Sequence, residues 1–152
     1  MRRVRFQDKR VALGVEGVSA LADMVSHAIT TDDLASEVVL TRDGVEALDY
    51  LFGRGEYAGR DLEVMPCVIL LDLALPRLGG LEVLRRVRAD KRTRLVPVVT
   101  LSFSEERSTT NIVYSSGANS HIAESPESES LMEVLREVAR YWCILNDPPP
   151  VP

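Results

Sequence analysis

The sequence predicts a three-layer α/β sandwich, a doubly wound parallel sheet of five strands with helices on both faces. Two observations predict it. Val68-Ile69-Leu70-Leu71 is an uninterrupted apolar run between Pro66 and Pro76, the pattern of a strand buried on both faces at the centre of a parallel sheet. Around it, short β-branched or apolar runs alternate with stretches whose apolar residues recur at helical spacing, strand then helix five times over. Right-handed crossovers then give the strand order 2-1-3-4-5. The central run ends in Asp72. Ligands of an open parallel sheet bind beyond the carboxyl ends of its strands, so an ionisable group emerging there is a site candidate.

Taken in order, Val11, Leu13 and Val15 alternate with small residues and form the first strand, closed by the turn Gly14-Val15-Glu16-Gly17. Val18, Leu21, Val25, Ala28 and Ile29 mark one face of the first helix, and Glu37 to Thr41 is a short β-branched strand. Asp43 with Glu46 three residues on reads as a capping pair for a helix that buries Val45, Leu48 and Phe52. Gly53, Gly55, Gly59 and Pro66 punctuate a long loop expected at the end of the sheet away from the site. After the central strand, Gly79-Gly80 opens a helix with Leu81, Leu84 and Val87 inward and Arg85, Arg86 and Arg88 as a solvated face. Val96 to Leu101 is a buried strand ending at Ser102-Phe103-Ser104, where Ser104 caps a helix bearing Glu105 and Glu106 in its first turn. Ser108, Thr109 and Thr110 weaken that helix, whose core residues are Ile112 and Val113 and whose stop is Gly117. Ser120 to Ala123 is the last strand. Leu131, Val134, Leu135, Val138, Trp142 and Leu145 define the final helix before Asp147-Pro148-Pro149-Pro150 ends it.

A chain of 152 residues, 45% hydrophobic and 27% charged, suits one globular domain and has no room for a second. That domain is expected over residues 10–146, with a basic tail at 1–9 and a Pro-rich tail at 147–152. A net charge of -5 and a pI near 5.1 argue against a nucleic-acid partner, since basic residues crowd only at Arg2, Arg3, Arg5, Lys9 and Arg10, a solvated tail. No apolar run reaches membrane-spanning length and no signal-peptide core follows the basic start, which points to the cytoplasm. Cys67 and Cys143, distant in sequence and without metal spacing, read as reduced core thiols.

Four motifs, Asp43-Gly44-Val45-Glu46-Ala47-Leu48, Leu71-Asp72-Leu73-Ala74-Leu75-Pro76, Gly80-Leu81-Glu82-Val83-Leu84 and Gly117-Ala118-Asn119-Ser120, together resemble the receiver domain of bacterial response regulators. The likeness runs from Val11 to Trp142. It is nearest to the single-domain regulators that partner phytochrome-type histidine kinases, whose glycine-rich loop and closing aromatics resemble Gly53 to Gly59 and Arg140-Tyr141-Trp142. The resemblance implies a flavodoxin-like receiver fold and two-component signalling without enzymatic activity. It also implies a phosphoacceptor aspartate with two adjacent acids holding magnesium, a hydroxyl on the fourth strand and a lysine on the fifth. Asp72 matches the phosphoacceptor, Glu16 the first acid and Ser102 the hydroxyl, with the Ala74 carbonyl completing a weak Mg2+ site.

The other positions depart from that pattern. Gly17 replaces the second acid, Glu124 falls at the lysine position, His121 at the aromatic switch position, and Phe103 where a small residue leaves the phosphate entrance open. A one-residue slip to Ser125-Pro126 recovers no lysine either. Glu16, Asp72 and Glu124 without a cation sum to -3, which disfavours full ionisation and repels an incoming phosphate. Two readings of Asp72 stand open: a cation site of altered geometry that recruits Glu124, or a carboxylate kept because it accepts loop amide hydrogen bonds. The expected function is a degenerate receiver working through contacts with a histidine kinase or a second copy of itself, by way of the fourth helix, fifth strand and fifth helix. The alternative is a switch phosphorylated at Asp72. A flavin or nucleotide site ranks last, because the crevice has neither a phosphate-cradling glycine loop nor stacking aromatics.

Overall fold

In the computed structural model the described residues are 10–31, 34, 37–102, 107–125 and 127–150. The expected Ser104 cap, Phe103 and Pro126 lie outside them. Five strands, β1 (Val11–Val15), β2 (Glu37–Thr41), β3 (Val68–Asp72), β4 (Val98–Ser102) and β5 (Ser120–Ala123), form one parallel sheet in the order β2-β1-β3-β4-β5, as the sequence predicts. The helices are α1 (Ser19–Thr30), α2 (Gly44–Phe52), α3 (Gly80–Ala89), α4 (Arg107–Ser115) and α5 (Leu131–Arg140), the last continuing into a wide turn over Tyr141–Leu145. Among the described residues no helix is long and apolar enough to cross a membrane.

Successive strand residues point to opposite faces, so an unbroken apolar run feeds two cores at once. Ile69 and Leu71 join Leu13, Val15 and Val98 beneath α2 and α3, whereas Val68 and Leu70 join Ala12, Val99 and Leu101 beneath α1 and α5. Every residue of β3 is buried, Asp72 included.

The capping pair forms as expected. The Glu46 amide donates to Asp43 Oδ1 at 2.8 Å, and Glu46 Oε2 accepts from the Arg42 amide at 3.0 Å. The buried face of α2, however, is Gly44, Ala47, Leu48 and Leu51, joined by Tyr50, while Val45 is exposed. A Cβ at Gly44 would collide with the Leu78 carbonyl oxygen and with Val83, so the helix start is seated closely against α3 and the turn before it. Phe52 lies at the rim, with the Arg54 and Arg92 guanidinium groups 5.3 and 4.7 Å from its ring centre. The loop after α2 leads to the start of β3, at the edge of the sheet away from Asp72, as expected. Arg60 holds it together by donating to the carbonyls of Tyr50 and Val64, each at 2.7 Å.

Three other faces differ from the expected ones. Val113 is buried on α4 but Ile112 is exposed. On α5 the core stripe is Leu131, Leu135, Ala139 and Cys143, leaving Val134, Val138 and Trp142 half-buried and Leu145 exposed. Val18 precedes α1 and is exposed.

Arg88 is not part of a solvated face. Its guanidinium donates to the carbonyls of Gly117 (2.8 Å), Arg94 (3.0 Å) and Val96 (2.7 Å) and to Asn119 Oδ1 (2.8 Å), and the same Asn119 oxygen accepts the Val98 amide at 2.8 Å. One cation thereby ties α3 to the turns that enter β4 and β5. Arg88→Met keeps the aliphatic stem and orphans those acceptors, so it is expected to cost about 2–3 kcal/mol of unfolding free energy in urea titration, whereas Arg85→Met is neutral within about 0.5 kcal/mol.

Candidate functional site

The parallel register brings four chain reversals to one edge. Val15 pairs with Leu71 and Thr41, Asp72 with Leu101, and Ser102 with Ala123, so Glu16, Asp72, Ser102 and Glu124 all emerge at the carboxyl ends of neighbouring strands. Backbone bonds extend the sheet by one residue at each point. The Glu16 amide donates to the Thr41 carbonyl (3.0 Å), Leu73 to Leu101 (3.1 Å) and Glu124 to Ser102 (3.1 Å). Glu16, Asp72 and Ser102 are 2%, 3% and 6% exposed, so none of the three polar groups is freely solvated. Glu124 is half-buried. With Glu16 it lines a narrow, mainly apolar void of about 10 Å³ that Leu21, Val25 and Leu131 help to wall, room for about one water.

Two buried carboxyl groups this close share a charge problem. Burial, then a hydrogen bond and the charge of Asp72, push Glu16 up to about 8, against the opposing pull of the Val18 and Gly17 amides. The geometry agrees. Glu16 Oε1 accepts from the Val18 amide at 3.1 Å, while Oε2 is buried without a partner as a carboxylate oxygen and, once protonated, has Asp72 as its acceptor. Full ionisation of both groups is thereby disfavoured, and Glu16 is the one whose proton is held more tightly. Asp72 Oδ1 in turn accepts the Ala74 amide at 3.0 Å, the loop hydrogen bond expected for a carboxylate that organises its own turn.

Gly17 is a packing position. A Cβ there would stand 2.9 Å from Pro76 Cδ and 3.3 Å from the Arg42 carbonyl oxygen, so the loop after β3 is closed down onto the loop after β1. Arg77, next to that proline, has φ of 61° and its guanidinium meets Asp43 Oδ2 at 2.8 Å, which ties the same loop to the cap of α2. Neither contact has a signature in the sequence, since each joins residues more than thirty apart whose types are ordinary for loops. The chain has only two lysines, Lys9 and Lys91, and neither follows β5. His121, half-buried on β5, bonds through Nδ1 to Thr100 Oγ1 at 2.8 Å, and burial lowers its pKa in favour of the neutral ring.

Glu16 and Asp72 are the donors that fit a hard cation, with one oxygen of Glu16 left unpartnered. Among the described residues no group of three or more His, Cys, Asp or Glu side chains gathers around a point that would hold a metal.

Comparison with known proteins agrees with this geometry. The family profile of the response regulator receiver domain matches residues 13–136. The Probable methanogenesis regulatory protein FilR2 of Methanothrix harundinacea is 34% identical over 143 residues, 94% of this chain and 90% of that protein. Rcp1 of Synechocystis sp. is 29% identical over 133 residues, 88% of each chain, and the crystal structure of its Mn2+-bound form aligns with a TM-score of 0.84 at 28% identity, covering 92% of this chain and 99% of that one. The phosphorylated cyanobacterial phytochrome response regulator RcpA aligns with a TM-score of 0.85 and 31% identity over 93% of this chain and 99% of that one. With the strand order, the aspartate closing β3 and a family match spanning most of its length, the chain belongs to the response regulator receiver domain family of two-component signalling.

Proposed function

We propose that this receiver works as a protein-binding module rather than an enzyme, and that phosphorylation of Asp72 is slow or absent. The observation that carries the reading is the charge set at the strand ends: Glu16, Asp72 and Glu124, with Gly17 packed beneath Pro76 in place of a second acid and no lysine after β5. Phosphoryl transfer to a carboxylate needs cations to neutralise the charge that repels the donor. A divalent cation held by Glu16 and Asp72 would supply part of that charge. No lysine follows β5 to supply the ammonium contribution, and Glu124 adds a repelling charge. The same features favour a weak Mg2+ site.

Likeness to RcpA and Rcp1 makes a histidine kinase of phytochrome type the partner class, in the cytoplasm. Ile112 and Tyr114, both exposed on α4, favour the surface of α4, β5 and α5 as the contact face for that kinase or for a second copy. The alternative, a working switch, rests on Asp72 and Ser102 standing at adjacent strand ends.

Incubation with a small-molecule phosphodonor and Mg2+, followed by intact mass measurement, separates the two. Only a small minority of molecules is expected to gain a phosphoryl group, rising about tenfold in Glu124→Lys; stoichiometric labelling of the parent at Asp72 overturns the binding-module reading. Restoring the second acid is a packing problem as well as an electrostatic one. Gly17→Asp is expected to lower the melting temperature by about 5 °C, and Pro76→Ala in the same chain to recover most of that loss, as scanning calorimetry would read. The raised Glu16 acidity has its own signature. The folded state holds a proton that the unfolded state releases near 4.5, so its contribution to stability is complete below that pH and is lost as pH rises through about 8. Glu16→Gln removes the titration, and its melting temperature relative to the parent is expected to climb by about 5 °C between pH 5 and pH 9.

A further inference from the structure

The only two cysteines of the chain, 76 residues apart in sequence, meet in the fold: Cys67 Sγ and Cys143 Sγ are 3.5 Å apart. Both are free thiols, 4% and 0% exposed, in the core layer between the sheet and α1 and α5. We propose that they form an oxidisable dithiol site, closing to an intramolecular disulfide that pins the turn after α5 to the foot of the central strand.

The two sides of the site differ in rigidity. Cys67 stands immediately before β3 and its amide donates to the Val11 carbonyl at 2.8 Å, so its backbone is part of the sheet. Cys143 lies in the wide turn Tyr141–Leu145, where the Asn146 amide reaches back to the Tyr141 carbonyl at 2.7 Å. A disulfide needs the sulfurs at about 2.05 Å, so an approach of roughly 1.5 Å is required. That movement falls to the turn, at the end of a helix and beyond its regular hydrogen bonding. Arg10 places a cation at the same spot, its Nη1 donating to the Cys143 carbonyl at 2.6 Å.

The thiols are also chemically unequal. The pairing of the two sulfurs, helped by Arg10, lowers the Cys67 pKa against the effect of burial, while the Cys67 sulfur and burial both raise Cys143. Cys67, fixed beside the sheet, takes the part of the attacking sulfur, and Cys143, on the turn that can move, that of the resolving one. With hydrogen peroxide as the oxidant, the Cys67 thiolate attacks one peroxide oxygen and the O–O bond breaks. The departing hydroxide takes up the proton that Cys67 has lost and leaves as water, and Cys67 becomes a sulfenic acid. The Cys143 sulfur then attacks the Cys67 sulfur, the S–O bond breaks, and the hydroxide released takes the Cys143 proton to leave as a second water. Each sulfur is oxidised by one electron, and one peroxide is reduced by the pair.

The test uses the full chain, reduced, freed of reductant and exposed to hydrogen peroxide, then denatured, alkylated and weighed intact. Expected are two alkyl adducts before peroxide and none after, a monomer on a non-reducing gel, recovery of both adducts with dithiothreitol, and a linked peptide pair containing Cys67 and Cys143. The oxidised chain should melt about 5 °C higher than the reduced one. In Cys143→Ser, a sulfenic-acid probe should label Cys67, and in Cys67→Ser it should leave Cys143 unlabelled. Retention of both adducts after peroxide, disulfide-linked dimers, or sulfinic acid at Cys67 without a linked peptide overturns the proposal. Those readings come from the parent chain and decide the matter even if the serine variants fail to fold.

Discussion

Glu16 and Asp72 occupy one buried space, and the arrangement around the strand ends answers to that constraint. Two ionised carboxylates cannot sit together away from water without a cation, so in this fold one of them keeps its proton. The cost is contained by amides: Val18 on Glu16 and Ala74 on Asp72 each donate to the acid two residues before it. These bonds also shape the loops after β1 and β3. The same groups that define the site thus set the backbone that closes over it.

The closure then decides what chemistry is within reach. Pro76 rests on Gly17, and Arg77, held in a left-handed conformation, reaches Asp43 at the cap of α2. A compact apolar contact takes the place of a second acid, and a loop tied at two points has little freedom to admit one. On the far side Glu124 adds a third acid where the resemblance to receivers leads one to expect a lysine. The strand ends thus hold Asp72 and Ser102 in the framework of a receiver site, with a charge set that differs from the one the resemblance leads one to expect.

Much of the fold was legible because it rests on local pattern. The limits of β2 and β5, the Asp43–Glu46 cap and the site-distal position of the long loop all follow from periodicity and turn chemistry. Helix rotation was less legible. Val45 and Phe52 fit an apolar stripe as well as Ala47 and Leu51 do, yet Gly44, Ala47 and Leu51 are the buried ones, with Gly44 seated closely against Leu78 and Val83. Arg88 has the type and spacing of a solvated residue, yet it sits where four acceptors from the two turns before β4 and β5 converge. Cys67 and Cys143 looked unrelated because their separation carries no metal spacing, and only the seating of α5 against the sheet joins them.

By itself the sequence determined the layer architecture, the strand order and the identity of the residues at the strand ends, because burial on two faces and helical periodicity are written in the order of side chains. It also determined that no lysine follows the last strand. The protonation of Glu16, the filling of the Gly17 position by Pro76, the bracing role of Arg88 and the meeting of the two thiols were decided by tertiary structure. Each depends on which distant groups share a volume and how little water reaches it, and desolvation and close packing belong to the assembled molecule rather than to any stretch of its chain.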